Sequence, residues 1–210
     1  MTVATYLFDP LCGWCYGAAP VVERLAAAGT GVELLPVGLA EEARPIDAEF
    51  AGLIWGIDRR IWSHTGQPFT AAYRALLFSG LAVYDAWPAT LAVIAVARTR
   101  PERQLDAFSA LQIARFVMGR DTGDALVVET VLREIGLRNA ADLLAAANPV
   151  LIAAADAAVI RGRRLLRENQ TDGVPALLLD GDRQAAQFLG AKALMDSLDI
   201  RAPDPALTLT

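Results

Sequence analysis

A pair of cysteines three residues apart, between a predicted strand and a predicted helix, constrains this sequence most. Cys12 and Cys15 are the only cysteines among its 210 residues. The segment from Ala4 to Leu11 has the pattern of a buried strand that runs into a turn, and the segment from Ala18 to Ala28 that of a helix. A helix N-terminus carries unpaired N–H groups and partial positive charge, which stabilise a thiolate. The second cysteine lies one turn further on and can close a disulfide onto the first, which suits thiol–disulfide exchange.

Two other uses of the cysteine pair fit the sequence less well. A structural zinc site normally takes four ligands, whereas this chain has no second cysteine pair and only one histidine, His64. Free cysteines are also good core residues, but this pair follows a turn instead of lying within a strand. The pattern therefore favours a redox dithiol and predicts no bound metal.

The composition indicates a globular protein with a large core and many helices. Hydrophobic residues make up 54% of the chain and the mean hydropathy is +0.35, with much of the excess due to alanine, a strong helix former. The richest apolar runs are about half the length needed to span a bilayer, so we expect no membrane association. The net charge of −5 argues against nucleic acid as a partner. One cluster of basic residues lies at the end of a predicted helix, where cations interact favourably with the helix dipole. It comprises Arg161, Arg163, Arg164 and Arg167.

The N-terminal segment lacks the basic and apolar regions of a secretory signal. We therefore expect a cytoplasmic protein, a setting in which a lone Cys-x-x-Cys is more often catalytic than structural. A mature secreted form with its signal removed would look similar.

The order of predicted elements is that of an α/β domain interrupted by helices. A strand over residues 3–8, a helix over 18–28 and a strand over 32–37 predict a parallel β-α-β unit. No convincing strand pattern follows until about residue 169. Apolar periodicity predicts helices there over residues 47–57, 67–78, 88–98, 101–118, 125–135, 139–147 and 149–168.

Strand character returns near the C-terminus. Residues 174–180 and 183–188 predict a hairpin around the Gly181-Asp182 turn. A closing helix is expected over residues 190–198, and the tail from Arg201 to Pro205 is expected to be poorly ordered.

Two motifs carry a resemblance to a known family. They are Phe8-Asp9-Pro10-Leu11-Cys12-Gly13-Trp14-Cys15-Tyr16-Gly17 and Gly173-Val174-Pro175-Ala176. Together with the order of elements between them, they resemble the DsbA family, in particular its cytoplasmic FrnE-like protein-disulfide isomerases. The resemblance implies a thioredoxin fold, with a central mixed sheet flanked by helices and interrupted by a large all-helical insertion. The thioredoxin-like domain would comprise residues 1–39 plus 170–210, and the insertion residues 40–169.

The resemblance also implies roles for individual residues. Pro175 is expected to be cis and to face the dithiol, so that a substrate strand can pair with the backbone of Val174. Cys12 would be the exposed nucleophile, and Cys15 the more buried resolving cysteine. Gly13 and Trp14 lie next to both sulfurs and are expected to contact the substrate.

Other positions in the sequence leave open how protons and substrates are handled. Many thioredoxin-fold enzymes carry a buried carboxylate six residues before the nucleophile for proton transfer, and this chain has Tyr6 there. Asp9 is expected to cap the turn, with proton relay to Cys15 as the alternative. His64 and the aromatic residues of the predicted insertion fit either helix packing or an apolar groove beside the dithiol.

The sequence therefore predicts a thiol–disulfide oxidoreductase that acts on protein or small-molecule disulfides. It would hold no bound cofactor, with glutathione or another thiol as co-substrate. The alternative is a glutathione-dependent isomerase or transferase, like 2-hydroxychromene-2-carboxylate isomerase and the kappa-class transferases. In those proteins a serine commonly stands at the position of Cys12 and the second cysteine is missing, so both cysteines here favour redox chemistry. A binding protein without catalysis is a third possibility.

Overall fold

The computed structural model describes residues 3–39, 42–171, 173–181 and 184–189. Its strands are two to six residues long. They are β1 (Val3–Phe8), β2 (Gly31–Pro36), β3 (Arg44–Pro45), β4 (Val83–Tyr84), β5 (Ala176–Gly181) and β6 (Gln184–Leu189).

A mixed four-stranded sheet, in the order β2-β1-β5-β6, forms the centre of the molecule. Strand β1 runs parallel to β2 and antiparallel to β5, and β5 forms a hairpin with β6. Strands from the two ends of the chain thus lie side by side in one sheet, as the sequence predicted.

The helices lie near the predicted positions, but two of their ends differ from the prediction by five residues or more. They are α1 (Gly13–Ala27), α2 (Ala48–Thr65), α3 (Ala71–Leu77), α4 (Trp87–Thr99), α5 (Gln104–Phe116), α6 (Ala125–Glu134), α7 (Arg138–Ala145) and α8 (Pro149–Glu168), with a 3₁₀ turn at Pro101–Arg103. Helix α1 was predicted to begin at Ala18 but begins at Gly13. Helix α2 was predicted to end at Ile57 but continues to Thr65. The prediction stopped early because Asp58 lies on the buried face, where a carboxylate interrupts the apolar period.

The region between β2 and β5 is dominated by helices but also holds a small strand pair. Strands β3 and β4 are antiparallel, with Arg44 opposite Tyr84 and Pro45 opposite Val83. Two-residue strands are too short to produce an alternating pattern, which is why the sequence did not reveal them.

Residues of the sheet and of the helices pack into a shared core. The rings of Phe8 in β1 and Phe108 in α5 lie 4.4 Å apart, centroid to centroid, and both are fully buried. Helix α8 lies against β2, where Arg163 donates a hydrogen bond to the Val37 carbonyl at 2.8 Å. The division into residues 1–39 plus 170–210 and residues 40–169 stays a prediction.

The predicted closing helix over residues 190–198 and the C-terminal tail lie outside the described residues. Within the described ranges, none of the helices alone has the length and apolar content needed to cross a membrane. Helices α7 and α8 meet that test only as a pair, which is bent by 99° at the break between them.

Candidate active site

The cysteine pair lies where β1 gives way to α1. Cys12 is the N-cap residue of α1, and Cys15 lies in the first turn of the helix. Neither is in a disulfide; Cys12 is partly exposed, whereas Cys15 is fully buried. A substrate arriving from solvent can therefore reach the Cys12 sulfur before that of Cys15.

The second motif lies beside the first, at the same end of the neighbouring strands β1 and β5. The Val174-Pro175 peptide bond is cis, as expected. The Cys12 thiol donates a hydrogen bond to the carbonyl of Val174, with Sγ and O 3.8 Å apart. Residues from the two ends of the chain thus meet at the Cys12 sulfur.

The environment of Cys15 disfavours its thiolate. Burial, followed by the hydrogen bond and the charge of Cys12, raises the pKa of Cys15 well above its ordinary value. The Tyr6 hydroxyl donates a hydrogen bond to the Cys15 carbonyl at 3.1 Å. Because burial raises the Tyr6 pKa well above its ordinary value as well, Tyr6 acts as a neutral donor at this position.

Asp9 caps the turn that leads into the dithiol, as the sequence predicted. Its buried carboxylate accepts hydrogen bonds from the backbone N–H groups of Leu11 at 2.9 Å and Leu39 at 2.8 Å. Burial nevertheless raises its pKa, and these two bonds oppose the rise. The Asp9 carbonyl also accepts a hydrogen bond from the Cys12 N–H at 3.1 Å, which fixes the turn.

A cavity of about 150 Å³ opens beside the Cys12 thiol. Part of its wall is the dithiol motif itself, through Cys12, Gly13 and Trp14. The rest of the wall is largely apolar and includes Leu11, Leu39, Ile54, Ile57, Asp58, Ile61 and Tyr84. Most of these residues come from α2, so this helix shapes the approach to the reactive sulfur.

Asp58 also belongs to this site, although the sequence did not single it out. It is only 3% exposed, and its Oδ2 accepts a hydrogen bond from the Tyr73 hydroxyl at 2.8 Å. Burial raises the pKa of Asp58 to about 7, although the Tyr73 hydrogen bond and the charge of Arg115 lower it. Its spacing, four residues after Ile54 and three before Ile61, places it on the apolar face of α2 and could have revealed it.

The predicted substrate contacts Gly13 and Trp14 lie at the cavity, and His64 lies beside them. The His64 ring meets the Trp14 ring edge-on, with centroids 6.2 Å apart, and its Nδ1 lies 3.0 Å from the Arg60 carbonyl. Most of the other aromatic residues pack in a second cluster beneath α2 and α3, where Tyr16, Phe69, Tyr73 and Phe116 are buried.

The described part of the chain holds no group of three or more His, Cys, Asp or Glu side chains arranged to bind a metal.

Comparison with solved structures finds close matches to disulfide-exchange proteins. The cytosolic disulfide reductase DsbM from Pseudomonas aeruginosa is 29% identical with a TM-score of 0.81, over 93% of this chain and 94% of that chain. The same protein with GSH is 30% identical with a TM-score of 0.77, over the same shares of both chains. A proposed protein disulfide isomerase from Nitrosomonas europaea is 26% identical with a TM-score of 0.71, over 94% of this chain and 96% of that chain.

A 2-hydroxychromene-2-carboxylate isomerase shares the fold. It is 16% identical with a TM-score of 0.62, over 93% of this chain and 92% of that chain. A search of the curated proteins finds no significant match. The model of the DSBA-like thioredoxin domain family matches residues 3–199, which is nearly the whole chain. The chain therefore belongs to the DSBA-like thioredoxin domain family and is a thiol–disulfide oxidoreductase.

Proposed function

We propose that this protein is a cytoplasmic disulfide reductase in which Cys12 attacks the substrate disulfide and Cys15 resolves the mixed disulfide. The observation that carries this proposal is the asymmetry of the pair. The Cys12 sulfur is partly exposed at the N-terminus of α1 and lies 3.8 Å from the Val174 carbonyl, whereas Cys15 is fully buried. Only the first sulfur is open to an incoming substrate disulfide.

The exchange proceeds in two displacements. The Cys12 thiolate attacks one sulfur of the substrate disulfide, forms a new S–S bond and releases the other sulfur as a thiolate. The Cys15 sulfur then loses its proton and attacks Cys12, which closes the Cys12–Cys15 disulfide and releases the second substrate thiolate. Two electrons pass from the dithiol to the substrate, and each released thiolate takes one proton.

Val174, Gly13 and Trp14 would hold the substrate during the exchange. The Val174 carbonyl faces the reactive sulfur, so an extended substrate segment can pair with this backbone. Gly13 and Trp14 line the cavity beside the Cys12 thiol. At about 150 Å³ this cavity is smaller than the 300–1,000 Å³ that is typical of drug-sized ligands, so it suits one side chain of a substrate.

Glutathione is the thiol that best fits as the reducing partner. DsbM, whose structure with GSH is 30% identical to this chain, is a cytosolic disulfide reductase. We infer that reduced glutathione returns the Cys12–Cys15 disulfide to the dithiol. Protein disulfides or small-molecule disulfides would be the substrates.

Turnover with glutathione tests this function. Purified protein should accelerate the reduction of insulin by reduced glutathione, and Cys12→Ser should abolish the acceleration because the attacking sulfur is gone. The reduction potential of the pair should lie near or below the cytosolic glutathione poise, about −220 to −260 mV by extraction methods. A potential well above that range would indicate an oxidant or isomerase, and full activity of Cys12→Ser would refute the assignment of the nucleophile.

A further inference from the structure

We propose that Asp58 is the acid–base group of the dithiol cavity, which takes the proton of the Cys12 thiol and passes it to the sulfur that leaves the substrate. This inference rests on the proposed function, because it concerns the first displacement at Cys12.

The geometry brings the Asp58 carboxyl group directly onto the dithiol motif. A Cβ atom placed on Gly13 would lie 2.2 Å from Asp58 Oδ1, so the carboxyl oxygen occupies the space of a side chain at position 13. Asp58 and Cys12 line the same cavity. A cavity of about 150 Å³ has room for water molecules or for one sulfur of a substrate between them.

The groups around Asp58 hold it in place and leave one oxygen facing the motif. Tyr73 of α3 occupies Oδ2 through a hydrogen bond of 2.8 Å, while Oδ1 points toward Gly13. Arg115 of α5 is 1% exposed and favours the ionised carboxylate, and Tyr84 of β4 lines the same cavity. Burial raises the pKa of Asp58 to about 7, so the group can both accept and release a proton near neutrality.

The proposed step returns Asp58 to its starting state. The Asp58 carboxylate accepts the proton of the Cys12 thiol and becomes a carboxylic acid. The Cys12 thiolate attacks the disulfide, the bond between Cys12 and one substrate sulfur forms, and the substrate S–S bond breaks with its electron pair on the other sulfur. Asp58 then donates its proton to that sulfur, so the products are a mixed disulfide and a neutral thiol.

Asp58 serves Cys12 and not Cys15. Cys15 is fully buried beneath α1, and the carboxylate whose charge acts on it is that of Asp9. The cavity wall that contains Asp58 contains the Cys12 sulfur. The chain therefore provides one carboxyl group at the cavity that holds Cys12 and a separate one whose charge acts on Cys15.

The pH dependence of a single oxidation step tests the inference. The rate at which glutathione disulfide oxidises the reduced protein can be measured by stopped-flow tryptophan fluorescence. As the pH is varied, this rate should show an inflection near pH 7. Asp58→Asn should remove this inflection and slow the reaction at pH 7 by about tenfold or more. The expected slowing is smaller than the 10²–10⁴-fold effect typical of acid–base catalysis because a thiolate can also leave without a proton.

A second variant tests Asp58 with its carboxyl group retained. Tyr73→Phe removes the hydroxyl that stabilises the ionised carboxylate, so the inflection should move to higher pH. Glu49→Gln makes the same charge change at an exposed position of α2 and should keep the wild-type profile. An Asp58→Asn profile that retains the inflection, or a Tyr73→Phe profile that does not move, would overturn the inference.

The same data separate this inference from the function on which it rests. A wild-type protein that is inert toward glutathione disulfide would overturn both. An active wild type with an unchanged Asp58→Asn profile would overturn the role of Asp58 alone. If Asp58→Asn does not fold, the direction of the shift in Tyr73→Phe decides the matter.

Discussion

At the scale of single residues, Asp58 makes the stability of the fold depend on pH. Its pKa is about 7 in the folded protein, against an ordinary value of 3.8. Between these two values the folded state binds the proton more tightly than the unfolded chain does. The free energy of unfolding must therefore fall as the pH rises from about 4 to about 7.

We predict that Asp58→Asn will remove most of this fall in the free energy of unfolding between about pH 4 and pH 7. Asparagine still accepts a hydrogen bond from Tyr73 but carries no charge to be desolvated, so the variant should gain stability relative to the wild type as the pH rises. The gap between the two pKa values corresponds to about 4 kcal/mol at most. Urea unfolding at pH 5 and pH 8 measures the effect, with Glu49→Gln as the control. A difference between variant and wild type that is equal at both pH values would contradict the prediction.

The sequence predicts some residues of the site and hides others. Cys12 and Cys15 stand out because their spacing has a chemical meaning, and Pro175 stands out once the two motifs are taken together. Asp58 is harder to identify: its spacing from Ile54 and Ile61 is the only signal, and a single acid within a helix is usually a solvated surface residue. Its burial depends on how closely α2 approaches α1, which is a tertiary contact.

At the scale of elements, two glycines allow α2 to lie against the reactive end of α1. A Cβ on Gly17 would come within 2.9 Å of both Ile61 and Thr65, and one on Gly13 would meet Asp58 and Ile61. The close contact of these helices brings the α2 side chains to the dithiol. The absence of side chains at positions 13 and 17 is therefore a packing requirement.

We predict that Gly17→Ala will destabilise the protein although alanine is the better helix former. Overpacking against Ile61 and Thr65 should cost about 1–3 kcal/mol, which exceeds a helix-propensity gain of about 1 kcal/mol. Gly52→Ala is the matched control because a Cβ there meets nothing within 4 Å and should stabilise the protein. Thermal and urea unfolding of both variants measure this, and equal gains at both positions would show that α1 and α2 pack less closely.

The elements themselves follow from local patterns wherever those patterns are uninterrupted. The limits of α8 match the prediction because Asn148 caps its start and Pro149 occupies the first turn. The C-terminal half of α2 was missed because Asp58 breaks the apolar face. The β3-β4 pair was missed because its pairing depends on segments that are far apart in sequence.

At the scale of the whole molecule, the site forms only when the two ends of the chain meet. Strands β1 and β5 pair antiparallel, with Leu7 opposite Ala176, and this register carries Cys12 to Val174. Helix α8, which precedes β5, contacts the edge of the sheet formed by β2. There Arg163 donates a hydrogen bond to the Val37 carbonyl. The sequence predicts that the two motifs belong together, but it does not specify which helices cover them.

Trapping of the mixed disulfide shows which of the two cysteines attacks the substrate. Reduced Cys15→Ser protein mixed with glutathione disulfide should hold one glutathione on Cys12, seen by mass spectrometry of the intact protein and of its peptides. The mirrored Cys12→Ser variant should stay unmodified because the Cys15 sulfur is fully buried. Rapid modification of Cys15 in that variant, or no adduct on Cys12 in the first, would contradict the assignment of Cys12 as the nucleophile.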